Sequence, residues 1–332
     1  MNKSYFKFII SIVVGSGLLL LTLSYFDLEK TFSAINEANP SKLILAFALL
    51  VAAYLMRGRR WIVWEPDLTF WNSFKFILVG YMGNNVLPAR LGELLRAHCA
   101  SANINNAFGR TATLASIAIE RILDGLVIAI IGLIGMSVVL LRAELFWALA
   151  LVCALFFSLT TALILGIYFH LGIRRLFDWL HDLFPGHLTR FGREKIYYFL
   201  DGLQLLRRPR VILAALLMTS LVWGIELLSY YFVATAVFPD TVFKASLIFL
   251  SVANFSSLFP FTVGGIGAIE GGTVPYLISL GIPPNESLAM ILIQHGFLFF
   301  FQTSVGVIFY YGNKYYKIPF FGKPSSALKE KE

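Results

Sequence analysis

Charge is what this sequence has least of: Asp, Glu, Lys and Arg supply only 14% of its 332 residues. With 58% hydrophobic residues and a mean hydropathy of +0.75, an ordinary soluble domain is excluded and a polytopic membrane protein is indicated. Cysteine is nearly missing as well. Cys99 and Cys153 are too few and too far apart for a disulfide framework or a thiolate metal cluster, and read as small buried apolar residues. The glycines of FPFTVGGIGAIEGG follow a membrane segment, not a strand of a βαβ unit, so nucleotide binding is not expected there. The net charge of +8 does not imply nucleic acid, because the basic residues flank apolar segments and orient them. Neither a metal nor a cofactor is expected.

Uncharged length, by contrast, is plentiful. A spanning helix needs roughly 20 apolar residues at about 1.5 Å each. Segments 8–26, 145–169 and 211–238 meet that need, the last broken only by Glu226. The first has no small-residue cleavage site before DLEK and is expected to be retained, not removed as a signal peptide. Segment 111–141 is long enough but holds Glu120, Arg121 and Asp124, and 287–311 holds His295. Segment 43–56 is short and borrows length from 40–64, with Arg57 expected to snorkel towards the headgroups and Trp61 and Trp64 to sit in the interfacial belt. The expected fold is therefore all-α, with about six full transmembrane helices.

Two further apolar regions are interrupted. Segment 70–102 breaks at Asn84, Asn85 and Pro88, and 245–280 breaks at Pro260 and Gly264–Gly267. Each is expected to be a re-entrant helical hairpin. With both termini cytoplasmic, the cytoplasmic side then receives Lys3, Lys7, Arg57, Arg59, Arg60, a 170–210 loop with eight Lys/Arg, and the lysine-rich tail. The other side receives Lys30, Lys42, Arg142 and Lys244, an asymmetry that disappears if either hairpin is counted as a crossing. The chain 1–332 reads as one transmembrane domain in which 43–141 and 211–311 run in opposite directions. Such an inverted repeat with broken helices points to a transporter whose binding site lies between the halves.

Irregular backbone at membrane depth is tolerated where protein or water satisfies it, so Asn84, Asn85 and Pro88 are expected to line a cavity. Pro88 suits the first turn of a new helix, on which Arg90, Glu93 and Arg96 are three apart and able to pair. A helix start beside two arginines fits a lipid phosphate; it fits equally a salt-bridged helix end near the headgroups. In IAIERILDG, Glu120, Arg121 and Asp124 each cost roughly 2.5 to 3.5 kcal/mol near a helix centre, so they are expected to face the bundle interior. They serve there either a substrate or an ion-pair network. Gly265 and Gly267 allow close backbone approach or offer free amides to an oxyanion. Glu270 is an intramembrane acid, and Glu226 and His295 are candidates for proton coupling.

NNVLPARLGELLRA, ERILDGL and GGIGAIEG, in that order, resemble the flippase-like membrane family of the lysylphosphatidylglycerol synthase transmembrane region. The resemblance implies a lipid-translocating bundle in a cell membrane, acting on aminoacyl phospholipids or polyprenyl-phosphate-linked sugars. It implies a role for Asn85, Pro88, Arg90, Gly92, Glu93, Arg96, Glu120, Arg121, Asp124, Gly265, Gly267 and Glu270. No aminoacyl-transferase domain follows the last span, so lipid synthesis is not expected. A lipid flippase, and not an enzyme, is the expectation; an intramembrane lipid transferase and an assembly partner of a lipid- or glycan-synthesis enzyme are the alternatives.

Overall fold

The computed structural model describes residues 3–87, 90–101, 109–184, 186, 197, 200, 209–259 and 261–312. Pro88, Pro260, Arg190, Arg193, Lys195, Arg207 and Arg208 of the 170–210 loop and the lysine-rich tail lie outside them. Twelve helices and no strands occur among the described residues: α1 (Lys3–Leu23), α2 (Leu28–Glu37), α3 (Pro40–Trp61), α4 (Phe70–Val86), α5 (Gly92–Ser101), α6 (Gly109–Val138), α7 (Ala143–Tyr168), α8 (His170–Leu183), α9 (Pro209–Val237), α10 (Phe243–Ser256), α11 (Ala268–Ser279) and α12 (Pro284–Tyr311).

Four helical stretches, Pro40–Trp61, Ala143–Gly166, Arg210–Val237 and Pro284–Tyr311, are long and apolar enough to cross a bilayer. A fifth candidate is the pair formed by α1 and α2, bent by 88° at the short break between them. The 30 residues of α6 reach about 45 Å, ample length, but its first half holds the three charges of ERILD. The ends of several helices are written locally. Asn39 caps α3, accepting from the Lys42 amide at 3.2 Å, and Pro40 supplies the pre-set first turn. Asp27 and Thr69 cap α2 and α4 in the same way.

Polarity is turned inside out relative to a water-soluble protein. Leu151, Leu155, Ile164 and Leu165 of α7 face outwards, while Arg57, Arg60, Glu120 and Glu226 are each no more than 2% exposed. Snorkelling does not occur at Arg57, and Trp61 and Trp64 are buried in the bundle, not in an interfacial belt. The last turns of α3 are covered by α4, α6 and α9, so a guanidinium there meets carboxylates before it meets headgroups. Amphipathic α8 has no buried residue and carries Leu176, Trp179 and Leu183 outwards, as suits a helix lying in a membrane surface.

Two sequences of helices run long, short, short, long: α3–α4–α5–α6 and α9–α10–α11–α12. In the first, α5 folds back along α4, so that a Cβ on Gly83 would come within 2.7 Å of the Gly92 Cα. In the second, α11 returns along α10, with Gly272 against Ser256. Contacts between the halves correspond: α3 packs on α9, α12 on α4, and α6 on α10. Gly306 of α12 lies against the Leu78 carbonyl of α4, and Gly135 of α6 against Leu247 and Ile248 of α10, so a glycine permits close approach at both equivalent crossings. One apolar core surrounds each fold-back. Asp27 bonds Asn285 at 3.2 Å, the Asn39 amide donates to the Ala236 carbonyl at 2.9 Å, and Tyr276 donates to the Leu145 carbonyl at 3.0 Å. These bonds gather the α1–α2 and α2–α3 junctions, the end of α9 and the starts of α7 and α12 at one end of the bundle.

Candidate functional site

The polar interior is built from both ends of the chain. Arg57 and Arg60 are three apart on α3 and so share a face, as do Glu120 and Asp124, four apart on α6. Arg60 holds Asp124 through both terminal nitrogens, reaches Glu120 at 2.9 Å and donates to Thr219 at 3.1 Å. Arg57 bonds Glu226 and stands 3.6 Å from Asp124, under the Trp223 ring. Arg96 grips Glu120 at 2.8 and 3.3 Å while stacking on Trp61, its guanidinium 3.8 Å from the ring centre. Arg121 meets Glu120 at 3.1 Å, Glu93 at 3.5 Å, Asp124 at 3.8 Å and the Tyr81 hydroxyl at 3.0 Å. Four arginines thus face four carboxylates, drawn from α3, α5, α6 and α9. Desolvating so many ions is tolerable because nearly every one has more than one partner.

Beside this network a cavity of about 210 Å³ opens between the two fold-backs. Asn84, Asn85, Arg90, Arg121, Asp124, Glu226, Gly265 and His295, all named from the sequence, line it. Arg90 is distinctive among them. Its backbone lies in the left-handed region at a φ of +54°, uncommon for a residue with a Cβ, and its guanidinium bonds Ser257 of the other fold-back at 3.3 Å. No carboxylate lies within ion-pair distance of it among the described residues. Asn85 spans to Gln302 and Thr303 on α12, both at 3.1 Å, and Gln302 continues to the Tyr54 hydroxyl.

Several expectations need correction. Arg96 is 1% exposed, with both terminal nitrogens on Glu120, and does not line the cavity, so it does not face a phosphate there. The Arg90–Glu93–Arg96 pairing along one helix does not form, because Glu93 turns to Arg121 and Asn84. Glu226 is not a lone acid but the partner of Arg57. Glu120 and Glu93 stand behind the cavity wall, in the network. The Gly267 amide is not free; it donates to Glu270 at 2.7 Å as α11 begins, and Gly267, with a φ of +79°, packs on α1. Pro88 lies outside the described residues. Sequence reasoning missed Arg57, Arg60, Tyr81, Trp223 and Ser257. A signal existed for the first two: the interrupted and spanning segments hold five acids, Glu93, Glu120, Asp124, Glu226 and Glu270, against three arginines, Arg90, Arg96 and Arg121. Further cations were needed from the helix ends.

His295 and Glu270 form a second unit, 2.6 Å apart, with the other imidazole nitrogen 2.9 Å from the Gly264 carbonyl. A carbonyl only accepts, so Nε2 carries a proton; one more proton then sits between Nδ1 and the carboxylate, and the pair is neutral overall whichever atom holds it. Glu270→Gln is expected to fold like the parent, because a carboxamide can donate to Nδ1 and accept from the Gly267 amide. Glu270→Ala should lose about 1 to 3 kcal/mol for each buried polar group left unpaired. Unfolding midpoints in detergent check this, and a Gln variant as unstable as the Ala variant would mean a true imidazolium–carboxylate ion pair.

A wider apolar groove of about 1020 Å³ runs between α1 and α11, past Leu18, Leu21, Gly271 and Ile278. Phe255 and Phe259 line both it and the polar cavity, so the two adjoin.

Among known families, the one described as the lysylphosphatidylglycerol synthase TM region matches residues 8–306. The chain is 25% identical to the glycosyltransferase AglD of Haloferax volcanii over 326 residues, covering 86% of this chain but only 52% of that protein, about half its length. It is 23% identical to a UPF0104 membrane protein of Methanothermobacter thermautotrophicus, with 96% of this chain and 95% of the relative covered. UPF0104 membrane protein PH1989 of Pyrococcus horikoshii is 20% identical over 91% of the chain and 96% of its own length. No solved structure matches the chain.

Proposed function

This chain belongs to the family of the lysylphosphatidylglycerol synthase transmembrane region, and from that membership and the geometry of the cavity we propose that it moves a phosphate-bearing lipid headgroup between the leaflets of a cell membrane. The observation that carries the proposal is Arg90: a cation on the cavity wall, in an uncommon backbone conformation, with a hydroxyl bonded to it and, among the described residues, no carboxylate within ion-pair distance. An unpaired guanidinium at membrane depth is costly, and a phosphate oxyanion relieves that cost with charge-assisted hydrogen bonds. The adjoining apolar groove gives the lipid chains a place beside the headgroup. The corresponding helix order and glycine-mediated crossings support two inverted repeats, 43–141 and 211–311, with re-entrant hairpins meeting at the cavity, and the Lys/Arg distribution of the sequence supports cytoplasmic termini.

Intramembrane group transfer, suggested by the AglD name, finds less support. Among the described residues each carboxylate of the cavity wall and of the network behind it is engaged by at least one arginine, and Glu270 by His295; buried Glu65, which accepts from the Ser116 hydroxyl, is not part of the cavity wall. The test is reconstitution of the purified chain into phosphatidylcholine vesicles holding a trace of fluorescent lipid, with membrane-impermeant dithionite added outside. Protein-dependent loss of the protected inner half of the signal is expected; loss equal to that of protein-free vesicles, for anionic and lipid-linked substrates alike, would overturn translocation. A covalently altered lipid found by mass spectrometry would favour transfer instead.

A further inference from the structure

The charge of the cavity narrows the substrate. Resting on the translocase reading, we infer that the site takes a lipid phosphodiester bearing one negative charge on an otherwise uncharged, hydroxyl-rich headgroup, and turns away a cationic aminoacyl headgroup. Among the described residues the cavity wall carries Arg57, Arg90 and Arg121 against Asp124 and Glu226, and in the network behind it Arg57, Arg60, Arg96 and Arg121 are matched one for one by Glu93, Glu120, Asp124 and Glu226, buried Glu65 lying off the wall on Ser116. The His295–Glu270 pair adds no net charge, whichever atom holds its proton. Arg90 therefore leaves the cavity one positive charge in excess, and a single phosphodiester cancels it.

The remaining polar lining is neutral. Asn84, Asn85, Asn254, Gln302, Tyr54 and Tyr81 offer amides and hydroxyls, which donate to and accept from sugar or glycerol hydroxyls. No carboxylate of this wall is without a cationic partner among the described residues. A lysyl group would bring two ammonium ions into a low-dielectric space that already has a surplus cation, with no acid free to receive them. Like charges brought together without a partner select strongly against a ligand.

The shared chemistry belongs both to phosphatidylglycerol and to a polyprenyl-phosphoryl sugar. Vesicles carrying chain-labelled phosphatidylglycerol or lysyl-phosphatidylglycerol are followed with dithionite, and polyprenyl-phosphoryl-mannose with external periodate. Movement of either hydroxyl-rich lipid at least about tenfold faster than the lysyl lipid is expected, and the faster of the two names the source. Arg90→Gln should narrow that ratio to about twofold, and Arg90→Glu should invert it in favour of the lysyl lipid. A lysyl lipid that moves as fast as phosphatidylglycerol and the mannosyl lipid overturns the headgroup assignment and leaves translocation standing. Movement of none of the three overturns both.

Discussion

Arg60→Met is expected to cost about 3 to 5 kcal/mol, a large share of the roughly 5 to 15 kcal/mol that holds a typical domain folded. The side chain lost is replaced by one of similar length, so the loss is electrostatic, not steric. What remains is Asp124 without its two-nitrogen clasp and Glu120 without one of its three arginines, both no more than 3% exposed. Thermal unfolding in mild detergent, read by loss of the monodisperse peak on size exclusion, measures it. A midpoint within about 2 °C of the parent would show that water enters the network and that the ions are solvated there. Neutralising Glu120, Arg121 and Asp124 together is expected to be worse still, because Arg57, Arg60 and Arg96 would keep only Glu226 among the four acids of the network. Had the three ERILD charges formed a closed set, that triple change would have been close to neutral.

Arg90→Ala, by contrast, should leave folding intact and stop lipid movement. The variant removes a cation with no carboxylate at ion-pair distance among the described residues, and because alanine also carries a Cβ the left-handed backbone, worth about 1 to 3 kcal/mol, is as strained as before. Losing the charged partner of a desolvated phosphate costs about 2 to 5 kcal/mol, or at least roughly 30-fold in transport at subsaturating lipid. Arg175→Ala is the control, an exposed residue of α8 whose attraction for anionic headgroups is about 1 kcal/mol. Equal loss of transport in both variants, at equal protein content, would trace the effect to general basicity and away from the cavity.

What could be read from the sequence, and what could not, divides along a physical line. Breaks in apolar runs are local: Asn84, Asn85 and Gly264–Gly267 announce where helices stop, and the structure places α4 and α10 before those breaks and α5 and α11 after them. Charges stranded mid-helix are local too, which is why ERILD was recognised as inward-facing. Partnership is not local. Arg60 meets Asp124 across 64 residues and Arg57 meets Glu226 across 169, and a basic residue near a helix end reads as a topology signal until its acid is known. The assignment of Arg96 to a phosphate fails for the same reason, since the carboxylate that takes it, Glu120, lies 24 residues away on another helix.

The two fold-backs match in outline but not in fastening. The first is tied to its surroundings by guanidinium–carboxylate bonds, Arg96 to Glu120 and Glu93 to Arg121. Among the described residues the second has no such bond; its polar ties include His295 to Glu270 and to the Gly264 carbonyl, Ser251 to the Ile128 carbonyl, Asn254 to Tyr230, Tyr276 to the Leu145 carbonyl and Arg90 to Ser257. Opening the bundle at the first would part several ions at once, the Arg96–Glu120 pair among them fully buried, whereas opening it at the second would part a neutral pair and a few single hydrogen bonds. On the translocase proposal, a twofold-like architecture then need not make a twofold mechanism: α3, α5, α6 and α9 are expected to hold still while the second fold-back, with α1 resting on its glycines, moves.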